Sequence, residues 1–182
     1  MKLKLLSLVL ALQSAWLLAT VATQEYALAT GKTILLETQR IDPRDLLRGD
    51  YLILNYKISD VPMNLFSPPV KTNFDHGSGI FMSLAQIGTN GFWEITRAGT
   101  KSFAPAPGEV LLRGKSANSW RNTTNSIHVE YGLEKYFVAE GTGNPGGKLV
   151  VQAVVPASGR AKIKQVFVDG KPYAEAMKAQ GR

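Results

Sequence analysis

Cysteine is missing from this 182-residue sequence. Its absence excludes disulfide bonds, thiolate metal sites and a cysteine nucleophile. Histidine is almost as scarce, because only His76 and His128 are present. Two histidines would hold a metal ion only if carboxylates such as Asp75, Glu130 or Glu134 converged on them. We therefore predict neither a metal site nor a cofactor.

Positive charge is in excess but dispersed along the chain. The formal net charge of +7 could attract nucleic acid or anionic lipid head groups. No compact run of basic residues interleaved with aromatic residues is present, so we expect no nucleic-acid binding. The densest basic group is Arg160, Lys162 and Lys164, which alternate and would share one face of a strand. We interpret this group as a solvated strand face, with a binding patch as the alternative.

The N-terminal segment is long and apolar. Residues Leu5–Gln24 carry no charge, and as a helix they would rise about 30 Å, the thickness of a bilayer's hydrocarbon core. Because Lys2 and Lys4 favour the cytoplasmic side, we expect the rest of the chain outside the cytoplasm. We favour an uncleaved membrane anchor over residues 1–30. The main alternative is a signal peptide cleaved near residues 27–29.

The remainder of the sequence is typical of a β protein, because short apolar runs alternate with Gly, Pro and Asn turns. Asn90-Gly91 indicates a hairpin, as does "PASGRA" at 156–161. We predict a mainly β domain over residues 31–173, a small barrel or sandwich with one or two short helices, and a frayed tail at 174–182. The eight expected strands are Thr33–Thr38, Tyr51–Ile58, Gly79–Ile87, Gly91–Arg97, Val110–Lys115, Ser126–Tyr131, Lys148–Val155 and Ala161–Val168.

The stretch "IDPRDLLRGDYLILNY", residues 41–56, begins with the pattern of a short capped helix. Asp42 suits the N-cap, and Asp45 would lie near the positive end of the helix. Arg48 falls in the last turn, and Gly49 is a natural stop. The pattern predicts helical turns over Pro43–Arg48.

After this helix the same stretch predicts a strand. Asp50 could accept backbone N–H bonds at the corner. Alternation then predicts one strand face with Leu52, Leu54, Tyr56 and Ile58, and the other face with Tyr51, Ile53, Asn55 and Lys57. The competing interpretation is a polar site in which Arg44 and Arg48, four residues apart, bind the same anion or carboxylate.

A second polar block is "VEYGLEKYFVAEG" at 129–141. We predict a short helix over Leu133–Ala139, ending near Gly141, with Tyr131 and Tyr136 packed on the β domain. Glu134 and Glu140 could form a carboxylate pair for acid–base chemistry. We favour packing and capping roles for the block.

These two blocks carry a family resemblance. Gly49-Asp50-Tyr51-x-x-Leu54-x-Tyr56 resembles the name-giving motif of the GDYXXLXY protein family. "LLRG" at 111–114 and the later block with Tyr131, Gly132, Glu134, Tyr136, Glu140 and Gly141 are similar to further family segments. The resemblance implies a bacterial, membrane-anchored protein with an extracytoplasmic domain and a multi-pass membrane protein as partner. It implies no particular reaction.

The function expected from the sequence is therefore binding. We expect a single-pass protein of the bacterial inner membrane whose periplasmic domain is an accessory subunit of a multi-pass membrane protein. The alternative is a cell-envelope hydrolase with a carboxylate/arginine site around Arg48, Asp50 and Glu134. No residue is assigned a catalytic role.

Overall fold

The computed structural model describes residues 2–39, 51–70, 74–117, 123, 125–138 and 146–180. It begins with α1, Lys2–Thr30, whose apolar residues surround the helix on all sides. Within the described part of the chain, α1 is the one helix long and apolar enough to cross a membrane. None of its most apolar stretch is buried against the rest of the structure. This outcome fits the sequence, because no polar stripe separates a buried face from an exposed one.

The β domain is a sandwich-like arrangement and not a closed barrel, with eleven strands among the described residues. One sheet has the order β1-β9-β10-β11, the second has the order β3-β7-β6-β4-β5, and β2 pairs with β8 alone. The bounds are β1 Lys32–Glu37, β2 Tyr51–Ile53, β3 Asp60–Pro62, β4 Gly79–Gln86, β5 Trp93–Gly99, β6 Val110–Ser116, β7 Ser126–Glu130, β8 Lys135–Phe137, β9 Leu149–Val155, β10 Lys162–Val168 and β11 Lys171–Pro172. The expectation of a mainly β fold is confirmed.

The core lies between the two larger sheets. Alternating residues of β1, β4, β6 and β9 point inward, as expected for strands with one buried face. Fully buried side chains include Leu36, Leu84, Leu112 and Val151. The sheets also approach each other at their edges, where Leu35 of β1 forms a bridge with Phe92 beside β5.

Both predicted hairpins are present. β4 pairs with β5 around the Asn90-Gly91 turn, in which Gly91 has a φ of 75°. β9 pairs with β10 around the 156–161 turn, in which Gly159 has a φ of 74°. Both glycines adopt the left-handed conformation that other residues rarely accept.

Three local expectations differ from the structure. The strand expected over Tyr51–Ile58 ends at Ile53, and a 3₁₀ turn begins at Lys57. The helix expected over Leu133–Ala139 is wrong, because Lys135–Phe137 forms β8 against β2. Where the sequence suggested a frayed tail, Tyr173–Gln180 forms α2, which buries Tyr173 and Ala176. In each case tertiary contacts override a local preference.

Candidate functional site

The β2–β8 pair brings the two motif blocks together. Tyr51 lies opposite Phe137, and Leu52 lies opposite Tyr136. One residue beyond β2, the Leu54 N–H donates to the Glu134 carbonyl at 2.8 Å. Segments that lie about eighty residues apart in the chain are therefore joined backbone to backbone.

Two buried tyrosine hydroxyls complete this connection. The Tyr56 hydroxyl donates to the Leu133 carbonyl at 2.6 Å. The Tyr131 hydroxyl donates in the opposite sense, to the Ile58 carbonyl. Tyr56 of the first block thus donates to the backbone of the second block, and Tyr131 of the second block donates to Ile58, two residues after the first block. We give the name motif cluster to the residues that make these contacts: Leu54, Tyr56, Ile58, Tyr131, Leu133 and Glu134.

Glu134 holds the turn between β7 and β8. Its carboxylate accepts the Tyr131 N–H at 2.5 Å. Gly132, with a φ of 78°, gives the backbone the left-handed turn that this contact needs. Glu134 therefore caps a turn, which agrees with the capping role favoured from the sequence.

The phenols of the motif cluster are neutral donors. Burial raises the pKa of Tyr56 and of Tyr131 above the ordinary value of 10.0, and the neighbouring Glu134 charge raises both further. A phenol with a raised pKa does not act as an acid or a nucleophile near neutral pH. The chemistry of this cluster is hydrogen bonding that stabilises the fold.

Several predicted site residues fall outside the part of the chain that the structure describes. These are Asp42, Arg44, Asp45, Arg48, Gly49, Asp50, Glu140 and Gly141, together with the helix expected over Pro43–Arg48. The described motif residues divide into two groups. Leu54, Tyr56 and Tyr131 are buried, whereas Tyr51 and Tyr136 are half-buried and pack against Phe137 and Tyr173, respectively.

"LLRG" at 111–114 has a packing explanation. A side chain at Gly114 would collide with the Val129 side chain and press on the Glu130 carbonyl. Gly114 is therefore required where β6 passes β7 at close range. This segment lies in the sandwich and contributes no polar side chain to the motif cluster.

A cleft of about 280 Å³ adjoins the motif cluster. It lies between the end of β1, the 57–62 segment and the start of β5, and Ile58 contributes to both features. Its lining combines acidic, basic and aromatic side chains: Glu37, Lys57, Ile58, Asp60, Pro62, Leu65, Phe92, Trp93, Glu94 and Ile95.

The most enclosed charge of the cleft is already paired. Glu37 contacts Lys57 at 2.6 Å and Lys148 at 2.5 Å. These hydrogen bonds, that of Lys148 first, lower the pKa of Glu37 below its ordinary value of 4.5. A carboxylate with a lowered pKa remains ionised at neutral pH and is poorly suited to act as a general acid.

A second pair joins the cleft residue Asp60 of β3 to His128 of β7, which does not itself line the cleft. His128 Nδ1 lies 2.7 Å from Asp60 Oδ1, and the imidazole is largely buried. Among the described residues, no three His, Asp or Glu side chains converge as metal ligands would. Sequence reasoning missed this pair and Glu37, because their partners lie far away in the chain and no local pattern marks them.

A family model described as GDYXXLXY protein matches residues 13–166, most of the chain. No curated protein and no solved structure matches the chain.

Proposed function

The chain belongs to the GDYXXLXY protein family, and on that premise we propose that it is a single-pass protein of the bacterial inner membrane. Its β domain lies on the periplasmic side and binds a multi-pass membrane protein as an accessory subunit. The observation that carries this proposal is the long apolar helix α1, which the β domain leaves uncovered.

Burial energetics support the membrane location of α1. Leu8, Leu12 and Leu17 each expose more than half of their surface. Exposed apolar area costs about 25 cal/mol per Å² in water, so a helix that is apolar all round needs a lipid or protein environment. A bilayer supplies that environment without a change in the β domain.

A repeated pattern in α1 supports a helical partner. Small residues occur at every fourth position, Ser7, Ala11, Ala15, Ala19, Thr23 and Ala27. Small side chains at this spacing allow two helices in a membrane to approach closely, where packing and not the hydrophobic effect drives association. A multi-pass protein offers several such helices.

The β domain offers a second contact surface on the β2–β8 pair. Phe137 is 75% exposed and packs edge-on against Tyr51. The Lys135 ammonium lies 5.2 Å from the Tyr51 ring centroid. An exposed aromatic pair beside a cation is typical of the centre of a protein interface.

The test is affinity purification of the full-length chain from detergent-solubilised membranes of its own host. We expect one multi-pass membrane protein to co-purify in a fixed ratio. The triple variant Ala11→Leu, Ala15→Leu and Ala19→Leu should reduce its recovery by about tenfold, because the added side chains keep the helices apart.

The matched control adds comparable apolar bulk to the opposite side of α1, through Val9→Phe and Val21→Phe. This variant should retain the partner and remain in the membrane fraction. Recovery of the free chain alone from wild-type membranes would contradict the proposal. Equal loss in both variants would show that the small residues do not form the contact.

A further inference from the structure

The junction between α1 and the β domain is short and tightly packed. Only Gly31 separates Thr30, the last residue of α1, from Lys32, the first residue of β1. The Gly31 N–H continues the helical pattern by donating to the Ala27 carbonyl at 3.1 Å. A side chain at Gly31 would collide with Val154 of β9. The end of the sandwich is therefore held directly at the end of the helix.

The length of α1 places this junction near the membrane surface. Residues 5–24 carry no charge and rise about 30 Å, which fills a hydrocarbon core. Residues 25–30 add about 9 Å, slightly more than the head-group layer on one side of a bilayer. Gly31 then lies at the outer boundary of the head groups.

Four cations are gathered around this point. Lys32 directly follows Gly31, and Lys162 lies opposite Val154, which itself lies opposite Thr33. Two strand spacings of this kind correspond to about 10 Å. Arg160 precedes Lys162 in the β9–β10 turn, and the Arg113 N–H donates to the Gly159 carbonyl of that turn at 2.8 Å. We name Lys32, Arg113, Arg160 and Lys162 the junction surface.

Two of these cations are left without an ionic partner among the residues that the structure describes. Within the described ranges, neither Arg160 nor Lys162 forms an ion pair or a cation–π contact. Lys32 donates to the Gly108 carbonyl at 2.5 Å and lies over Trp93, and Arg113 lies over Phe81. These contacts orient the last two cations without neutralising their charge.

The nearby carboxylates do not cancel this charge. Glu25 lies within the last turns of α1, on the N-terminal side of Gly31. The Glu109 carboxylate already accepts hydrogen bonds from the Ser83 and Thr96 hydroxyls and the Ala106 N–H. The four cations of the junction surface therefore outnumber the two described carboxylates of this region.

We propose that the junction surface binds anionic lipid head groups of the leaflet from which α1 emerges. This inference rests on the proposed anchoring by α1. Lys32 follows Gly31 directly, and Lys162 lies two strand spacings, about 10 Å, from Thr33. The junction surface therefore comes within roughly one Debye length of the head groups at physiological salt. Basic residues at that distance are attracted to anionic lipids. The lipid contact holds the β domain against the membrane in one orientation.

The test uses the full-length chain in vesicles of phosphatidylcholine alone or mixed with phosphatidylglycerol. Because the chain has no cysteine, Ser158→Cys in the exposed β9–β10 turn accepts a single fluorophore. A head-group-attached quencher on both leaflets reports its proximity to lipid. We expect quenching to rise about twofold with the anionic lipid and the rise to disappear at high salt.

Charge-reversed variants distinguish a local effect of the junction surface from a general effect of the net charge of the chain. Arg160→Glu with Lys162→Glu should remove the dependence on anionic lipid. Lys171→Glu with Lys178→Glu changes the net charge equally at the distal end of β10 and on α2, and it should retain that dependence. Both variants alter exposed or half-exposed side chains, so their thermal unfolding should match that of the parent chain.

Flotation of the same samples separates the two proposals. A chain that floats with both vesicle types but shows equal quenching in each overturns the lipid-binding inference and leaves the anchor intact. A chain that floats with neither vesicle type overturns the anchor and the inference together. Loss of the response in the distal control would also overturn the inference, because net charge would then explain it.

Discussion

The motif cluster and the cleft share Ile58 but differ in the burial of their polar side chains and in the partners that those side chains have. In the motif cluster, the Tyr56 and Tyr131 hydroxyls are buried and donate to backbone carbonyls. In the cleft, Glu37 pairs with Lys57 and Lys148, whose side chains are 60% and 55% exposed. Neutral buried hydrogen bonds cost much when broken, whereas exposed ion pairs contribute about 0–1 kcal/mol.

This difference explains the family motif. Its buried residues Leu54 and Tyr56 join two distant chain segments, so a change at either of them should affect folding before it affects a ligand. The charged residues of the cleft belong to neither motif block and contribute little to the fold. The buried motif residues and the charged residues of the cleft should therefore differ in their effect on stability, and the following variants test that difference.

The largest effect is expected for Leu54→Ala in the motif cluster. Leu54 is fully buried, and its truncation removes apolar contacts and leaves a cavity. The free energy of unfolding should fall by about 2–5 kcal/mol, measured by urea unfolding in detergent. Ile53→Ala, one residue away and half-buried, is the control and should cost clearly less. Equal losses would mean that Leu54 does not anchor the β2 segment.

Tyr56→Phe should have the next largest effect. The substitution keeps the ring and removes the donor to the Leu133 carbonyl, which leaves a buried acceptor unpaired. We expect a loss of about 1–3 kcal/mol. Tyr51→Phe is the control, since within the described residues the Tyr51 hydroxyl forms no hydrogen bond. A neutral Tyr56→Phe would show that the hydroxyl contributes no net stability.

Tyr173→Phe should change stability in the opposite direction. The Tyr173 hydroxyl is buried, and no described residue accepts or donates a hydrogen bond to it. Removing an unpaired buried hydroxyl should stabilise the fold by about 1 kcal/mol, seen as a higher urea midpoint. A destabilised variant would contradict the assignment of this hydroxyl as unpaired.

The smallest effect is expected for Glu37→Gln in the cleft. Its free energy of unfolding at neutral pH should fall by less than about 1 kcal/mol and by less still at high salt. Glu94→Gln is the control, because Glu94 lines the same cleft and forms no ion pair with any described residue.

The effect of Glu37→Gln should also depend on pH. The lysines lower the pKa of Glu37 in the folded chain below 4.5, its ordinary value. Its stabilising contribution is therefore complete above pH 4.5 and declines as the pH falls through the lowered folded pKa. The difference between wild type and variant should vanish in strong acid. A difference that grows as the pH falls would contradict the ion-pair assignment.

Local patterns predicted much of the fold. Alternation in the 51–58 segment identified the buried positions, and Leu52, Leu54, Tyr56 and Ile58 are all buried. The pattern did not show where the strand ends, because the 3₁₀ turn at Lys57 keeps the same residues inward. The helix expected over Leu133–Ala139 was wrong because pairing with β2, about eighty residues away, outweighs local propensity.

By itself, the sequence determined the features that depend on neighbouring residues: the apolar α1, the glycine-containing hairpins and the family motif. Only the tertiary structure decided that Tyr56 of the first block donates to Leu133 of the second, and that Tyr131 donates to Ile58, two residues after the first block. It also decided that the β9–β10 turn lies at the end of α1, because Val154 contacts the Gly31 position and pairs with both Thr33 and Lys162. The physical reason is that local patterns set strand faces and turns, whereas contacts between distant segments arise from packing in three dimensions.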